Sequence, residues 1–139
     1  MSTEENKTII HQCIEAINKQ DLATLDTLVA ADYVGHITGL PPIQGSEALK
    51  YVFAGYYAAF PDFHFTVEDV IAEGDKVVGR GTFHATHKGE LMGIPATGKQ
   101  VTVAGIHIYR VASGKLAEEW IEQDNLGLLQ QLGVIPPMG

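Results

Sequence analysis

Apolar positions along this chain follow two rhythms: every three or four residues in the first part, and every second residue from Phe63 onward. Ile10, Cys13, Ile14 and Ile17 predict a first helix, opened by Ser2 and Glu5 at capping-box spacing. Asn18-Lys19-Gln20-Asp21 ends it and caps a second helix, whose stripe is Leu22, Leu25, Leu28 and Val29. An extended piece, Asp32 to Ile37, leads into a loop through Pro41 and Pro42. Ser46 is expected to cap a third helix that Pro61 stops, with a wide apolar face from Leu49 to Phe60.

The rest reads as antiparallel strand. Phe63 to Ile71 and Lys76 to His87 form a hairpin turning at Glu73-Gly74, which opposes Val67 to Arg80 and makes Asp69 and Arg80 diagonal neighbours. The segment from Lys88 to Lys99 is longer than a hairpin needs, as in loops that cover a site. Val101 to Val111 then turns through Ala112-Ser113-Gly114-Lys115 into a last strand, Leu116 to Asp124, and a helix from Asn125. Helices first and strands last imply an α+β domain with helices on one face of an antiparallel sheet. The other face of Thr102 to Arg110 carries Ala104, Ile106 and Ile108, an apolar surface that a homodimer through the sheet would cover.

The last strand suggests chemistry. Alternate side chains share a face, so Glu118, Trp120, Glu122 and Asp124 lie together with Leu116, while Ala117, Glu119, Ile121 and Gln123 lie opposite. A tryptophan on the same face as three acids is expected of a pocket wall. Pairing Val111 with Leu116 sets His107 against Trp120, Gly105 against Glu122 and Val103 against Asp124; a bulge would break this register. His107 and Asp124 are then the candidate site for a small hydrophobic molecule. Each also has a structural role open to it. Asp124 precedes a helix and is a favoured cap, His107 can be a satisfied core histidine, and Arg80 can pair with Asp69 on the surface.

At 139 residues and 45% apolar, the chain is expected to be one globular domain, residues 1–139. Seventeen acidic against nine basic residues, a net charge of −8, argues against nucleic acid or an anionic membrane as partner. No stretch is apolar enough to span a bilayer and no signal peptide precedes the first helix, so a cytoplasmic protein is expected. Cys13 is the single cysteine, on the apolar stripe of the first helix. His84 and His87 are three apart on a strand and face opposite sides, which argues against a shared metal.

The run from Gly114 to Gly133, with Trp120 and Asp124 inside it, resembles the C-terminal signature of SnoaL-like polyketide cyclases. Ala85 to Glu90, Gly93 to Lys99, Arg80 and the Asp32-Tyr33…His36 segment are similar to the same family. The resemblance implies the cone-shaped α+β fold of nuclear transport factor two, ketosteroid isomerase and scytalone dehydratase, a curved sheet around a central pocket. It also implies intramolecular aldol closure of a hydrophobic carbonyl or ester compound without metal or organic cofactor. Asp124 would be the general acid/base, its pKa raised by burial and by Glu122, and His107 would assist. Trp120, Arg80, His36, Glu122 and Tyr33 would contact the substrate. Gly105 departs from the family, where a polar side chain is expected. Other readings are an epoxide hydrolase using Asp69, Arg80 and Asp124, a dimeric protein that binds an apolar ligand without chemistry, and a dimerisation module with a filled cone.

Overall fold

In a computed structural model, which describes residues 2–137, the predicted change of rhythm is the boundary between helices and long strands. Helix α1 (Thr3–Asn18) opens with the expected capping box, in which the Ser2 hydroxyl accepts from the Glu5 amide and the Glu5 carboxylate from the Ser2 amide. Its stripe of Ile9, Ile10, Cys13 and Ile14 is buried. Asp21 caps α2 (Leu22–Leu28) by accepting from the Thr24 amide. Strand β1 (Val29–Ile37) is longer than the extended piece expected, and a short β2 (Ile43–Gln44) leads to α3 (Ser46–Ala59). Ser46 does not cap α3. Gly45 holds the cap position at φ 92°, and no side chain bonds there. That left-handed conformation is open to glycine at little cost.

Strands β3 (His64–Glu73), β4 (Lys76–Thr86), β5 (Gln100–Ala112) and β6 (Lys115–Gln123) follow, then α4 (Asn125–Gln131). The sheet order is β2-β1-β6-β5-β4-β3, antiparallel throughout except that β1 runs parallel to β6. Helix α1 lies across β3, β4 and β6, α3 packs on β1 and β2, and α4 packs on β5. One apolar core joins α1 and α2 to the middle of the sheet. A second gathers Phe60, Phe63, Phe83, Leu128 and Leu132 where the end of α3 meets α4.

Two β-bulges set which side chains face the helices. Between β3 and β4 the turn is Gly74-Asp75, and Glu68 is an extra residue, so Val67 opposes Gly81 and Asp69 directly opposes Arg80. The expected pairing of Val67 with Arg80 is therefore corrected by one position. Between β5 and β6 the turn is Ser113-Gly114, both at positive φ, and Val111 pairs with Leu116 as expected. The next residue, Ala117, is a bulge. Beyond it His107 pairs with Ile121, Gly105 with Gln123 and Ile108 with Trp120. Because side chains alternate, this one-residue slip reverses the faces of β6. Glu119, Ile121 and Gln123 turn toward the helices, and Glu118, Trp120 and Glu122 turn away from them. Two consecutive buried residues, Leu116 and Ala117, mark the slip.

Candidate active site

Between α1, α3 and the inner face of the sheet lies a cavity of about 100 Å³. Its walls are aliphatic and aromatic, with Ile14 and Ile17 from α1, Phe53 and Tyr56 from α3, and Phe63, Phe65 and Phe83 from the sheet. The strongly polar side chains on this lining are His107, Glu119 and Gln123. Among the described residues no lysine or arginine lines it.

The polar centre is built by strand alternation on three neighbouring strands. Tyr33 on β1 points inward and is fully buried. A Cβ on Gly35 would lie 2.5 Å from the Tyr33 hydroxyl, so only glycine at position 35 leaves room for this phenol. Tyr33 donates to Glu119 Oε1 at 2.9 Å, and the other oxygen, Oε2, lies 2.8 Å from His107 Nδ1. Glu119 is 8% exposed, so its carboxylate is held by these two groups rather than by water. An ionised carboxylate only accepts, so a neutral His107 facing one donates from Nδ1 and keeps the lone pair on Nε2. Tyr109 stacks on the imidazole at 5.6 Å and Phe65 meets it edge-on at 5.5 Å, which fixes the ring. Burial, followed by the Glu119 charge, pushes the Tyr33 and Tyr109 phenols well above their ordinary values. The same two causes push the Cys13 thiol up to about 12, so it is an unreactive part of the wall.

Of the residues singled out by sequence, the structure brings His107 to the cavity and Tyr33 to the carboxylate behind it. The others lie elsewhere. Asp124 is exposed at the end of β6, where it caps α4 by accepting from the Gly127 amide at 2.8 Å. Trp120 is on the outer face and stacks on His36 at 5.5 Å, and His36 Nε2 lies 2.8 Å from Glu118. Arg110 donates to the same Glu118 carboxylate. Glu122 is exposed and accepts from the Thr38 hydroxyl. Arg80 is exposed too, paired with Asp69 and with Glu68 on the bulge. The Ala117 bulge is the common reason for Trp120 and Glu122, because it turns their surface of β6 outward, while His36, three residues from the inward Tyr33 on β1, faces out by alternation. The bulge also explains the carboxylate that the sequence analysis missed. Glu119 had been assigned to the outer face, and the signal that could have found it is the apolar pair Leu116-Ala117 ahead of the alternation Glu119, Ile121, Gln123.

The family model described as SnoaL-like polyketide cyclase matches residues 7–132. The chain belongs to the SnoaL-like polyketide cyclase family. It is thus an enzyme of the cyclase class, with the α+β cone fold of that family. Among curated proteins it is similar to the aklanonic acid methyl ester cyclase DnrD of Streptomyces peucetius, 27% identical over 142 residues, covering 96% of this chain and 92% of the relative. Among solved structures, IdmH of Streptomyces antibioticus, a proposed polyketide cyclase, is 35% identical with a TM-score of 0.81, covering 92% of this chain and 98% of its own. AclR of Streptomyces galilaeus, a proposed hydroxylase, is 30% identical with a TM-score of 0.88, covering 99% and 87%. This cyclase therefore shares its scaffold with proteins given different reactions, and its own site residues have to carry the assignment of chemistry.

Proposed function

We propose that this cyclase closes a ring within a neutral, hydrophobic carbonyl compound by aldol addition, with His107 as the base and Glu119 as the group that holds it. The observation that carries the reading is the 2.8 Å pair between His107 Nδ1 and Glu119 inside a largely apolar cavity. His107 Nε2 takes a proton from the carbon beside one carbonyl. The resulting enolate attacks a second carbonyl of the same molecule, forming the new carbon–carbon bond, and the imidazolium returns its proton to the alkoxide. Glu119 stabilises the imidazolium, as a buried carboxylate does for a catalytic histidine. Tyr33 keeps that carboxylate in place. Only protons are transferred, so the step needs no redox cofactor. The likeness to an aklanonic acid methyl ester cyclase supports an ester-bearing polyketide as substrate, and a lining without lysine or arginine suits an uncharged one. Asp124, which the family resemblance marked as the acid/base, is left with helix capping.

The first step can be read without the natural substrate, as deuterium exchange into the methyl group of acetophenone in D₂O. The wild type is expected to accelerate it, and Glu119→Gln and His107→Ala to lose roughly 100-fold, the usual scale of general-base catalysis. Asp124→Asn is expected to keep the wild-type rate. Loss of exchange in Asp124→Asn with full retention in Glu119→Gln would return the role to Asp124.

We further propose that the protein is a homodimer through the outer sheet face. Ala104, Ile106 and Ile108 are exposed there, Ile106 by 51% and Ile108 by 38%. Apolar side chains side by side on a sheet are the composition of an interface core.

A further inference from the structure

Gln123 is the polar lining residue that the proton-transfer chemistry leaves unused, and its position is defined by a glycine. It pairs directly across the sheet with Gly105. A Cβ at Gly105 would lie 3.1 Å from the Gln123 Cβ and 2.9 Å from the Glu122 carbonyl oxygen. A side chain at position 105 would therefore displace this part of β6, and the bare backbone there leaves the amide of Gln123 as the polar group at this level of the pocket. Gln123 Nε2 donates to Asn125 Oδ1 at 2.8 Å, at the first residue of α4. That bond orients the amide, whose carbonyl oxygen has no hydrogen-bond partner among the described residues. The other amide N–H meets the phenol of Tyr56 on α3, which burial pushes up and this hydrogen bond from Gln123 holds back.

We infer that Gln123 is a specificity-determining residue, holding a second carbonyl or hydroxyl group of the substrate at a set distance from His107. His107 pairs with Ile121, so Gln123 lies two residues further along the same face of β6. At about 3.3 Å per residue the separation is about 7 Å, the span of one six-membered ring carrying oxygen substituents at opposite ends. The cavity wall around these two groups is apolar, with Ile121, Phe63 and Phe83 among its lining. The substrate is thus oxygenated at two places about one ring apart and hydrocarbon between them. A carbonyl takes the amide N–H that otherwise meets the Tyr56 phenol, and a hydroxyl donates to the amide oxygen. A single amide accommodates both, which suits a compound that gains a hydroxyl as its ring closes.

This inference rests on the proposed cavity and His107, and the test separates the two. Binding of acetophenone, with one carbonyl, and of 1,4-diacetylbenzene, with a second across the ring, is measured by NMR titration. The wild type is expected to bind the diketone more tightly by roughly three- to tenfold, the worth of one neutral hydrogen bond. Gln123→Leu is expected to abolish that preference while leaving acetophenone affinity unchanged. Asn125→Ala, which alters only an exposed partner, is expected to reduce it. Retention of the full preference in Gln123→Leu, or its absence from the wild type, overturns the role of Gln123 and leaves the cavity intact. Failure of both ketones to bind the wild type overturns the cavity reading together with this one.

Discussion

The charge of Glu119 is made tolerable inside an apolar cavity by two donors, and each can be removed separately. Tyr33→Phe deletes one bond to an ionised group, so it is expected to cost about 1.5–3 kcal/mol in a urea titration. Gly35→Ala is expected to cost at least as much, because a Cβ there overlaps the Tyr33 hydroxyl at 2.5 Å and pushes the whole ring off Glu119. Equal stability of wild type and Gly35→Ala would mean that the phenol is not locked as described. Of the proposed site residues, His107 was legible as the histidine of a largely apolar strand paired with the last one, although the partners expected on its face were those the bulge turns away. Glu119 was not. Its identity as an inner residue depends on Ala117, whose bulge leaves no distinctive residue type in the sequence.

Elements follow local rules more faithfully than their pairings do. The capping box of α1, the Asp21 cap of α2 and the turn at Ser113-Gly114 are short-range hydrogen-bond or φ requirements, visible in a few consecutive residues. At the start of α3 two adjacent residues competed, and Gly45 took the cap rather than Ser46. Thermal melts should therefore separate two alanine variants. Asp21→Ala is expected to cost about 1 kcal/mol, and Ser46→Ala to stay within about 0.5 kcal/mol. The same substitution at Asp124 should behave like Asp21, since its carboxylate also serves a helix. The β5–β6 error of register came from the bulge at Ala117; the β3–β4 error came from a turn at Gly74-Asp75 rather than Glu73-Gly74, a shift of two that the Glu68 bulge reduces to one at Val67.

At the scale of the whole molecule, the same slip that hides Glu119 places a charged and aromatic cluster on the outside. His36, first, and then Arg110 hold the Glu118 carboxyl below its ordinary value of 4.5. A group whose folded pKa is depressed contributes stability above its unfolded value and loses it as pH falls. Melting temperature is therefore expected to be indifferent to Glu118 protonation at neutral pH and to drop below about pH 4.5, with a smaller acid-side drop in Glu118→Gln. Beside this cluster, Ile106→Glu combined with Ile108→Glu is expected to convert the proposed dimer to a monomer in sedimentation velocity, while leaving ketone binding in the cavity unchanged. A monomeric wild type would sink the dimer proposal.

The order of helices and strands, the caps of α1 and α2, the last hairpin turn and the family membership were determined by the sequence, because each rests on periodicity or on contacts between residues close in the chain. So was the apolar character of the outer strand face at Ala104, Ile106 and Ile108. The tertiary structure alone decided which acid enters the cavity. Glu118, Glu119, Glu122 and Asp124 lie within seven consecutive residues, and β-structure distributes them by parity. One bulged alanine changes that parity, and the choice is set by how a curved sheet closes over α1, a long-range packing requirement that no local pattern records.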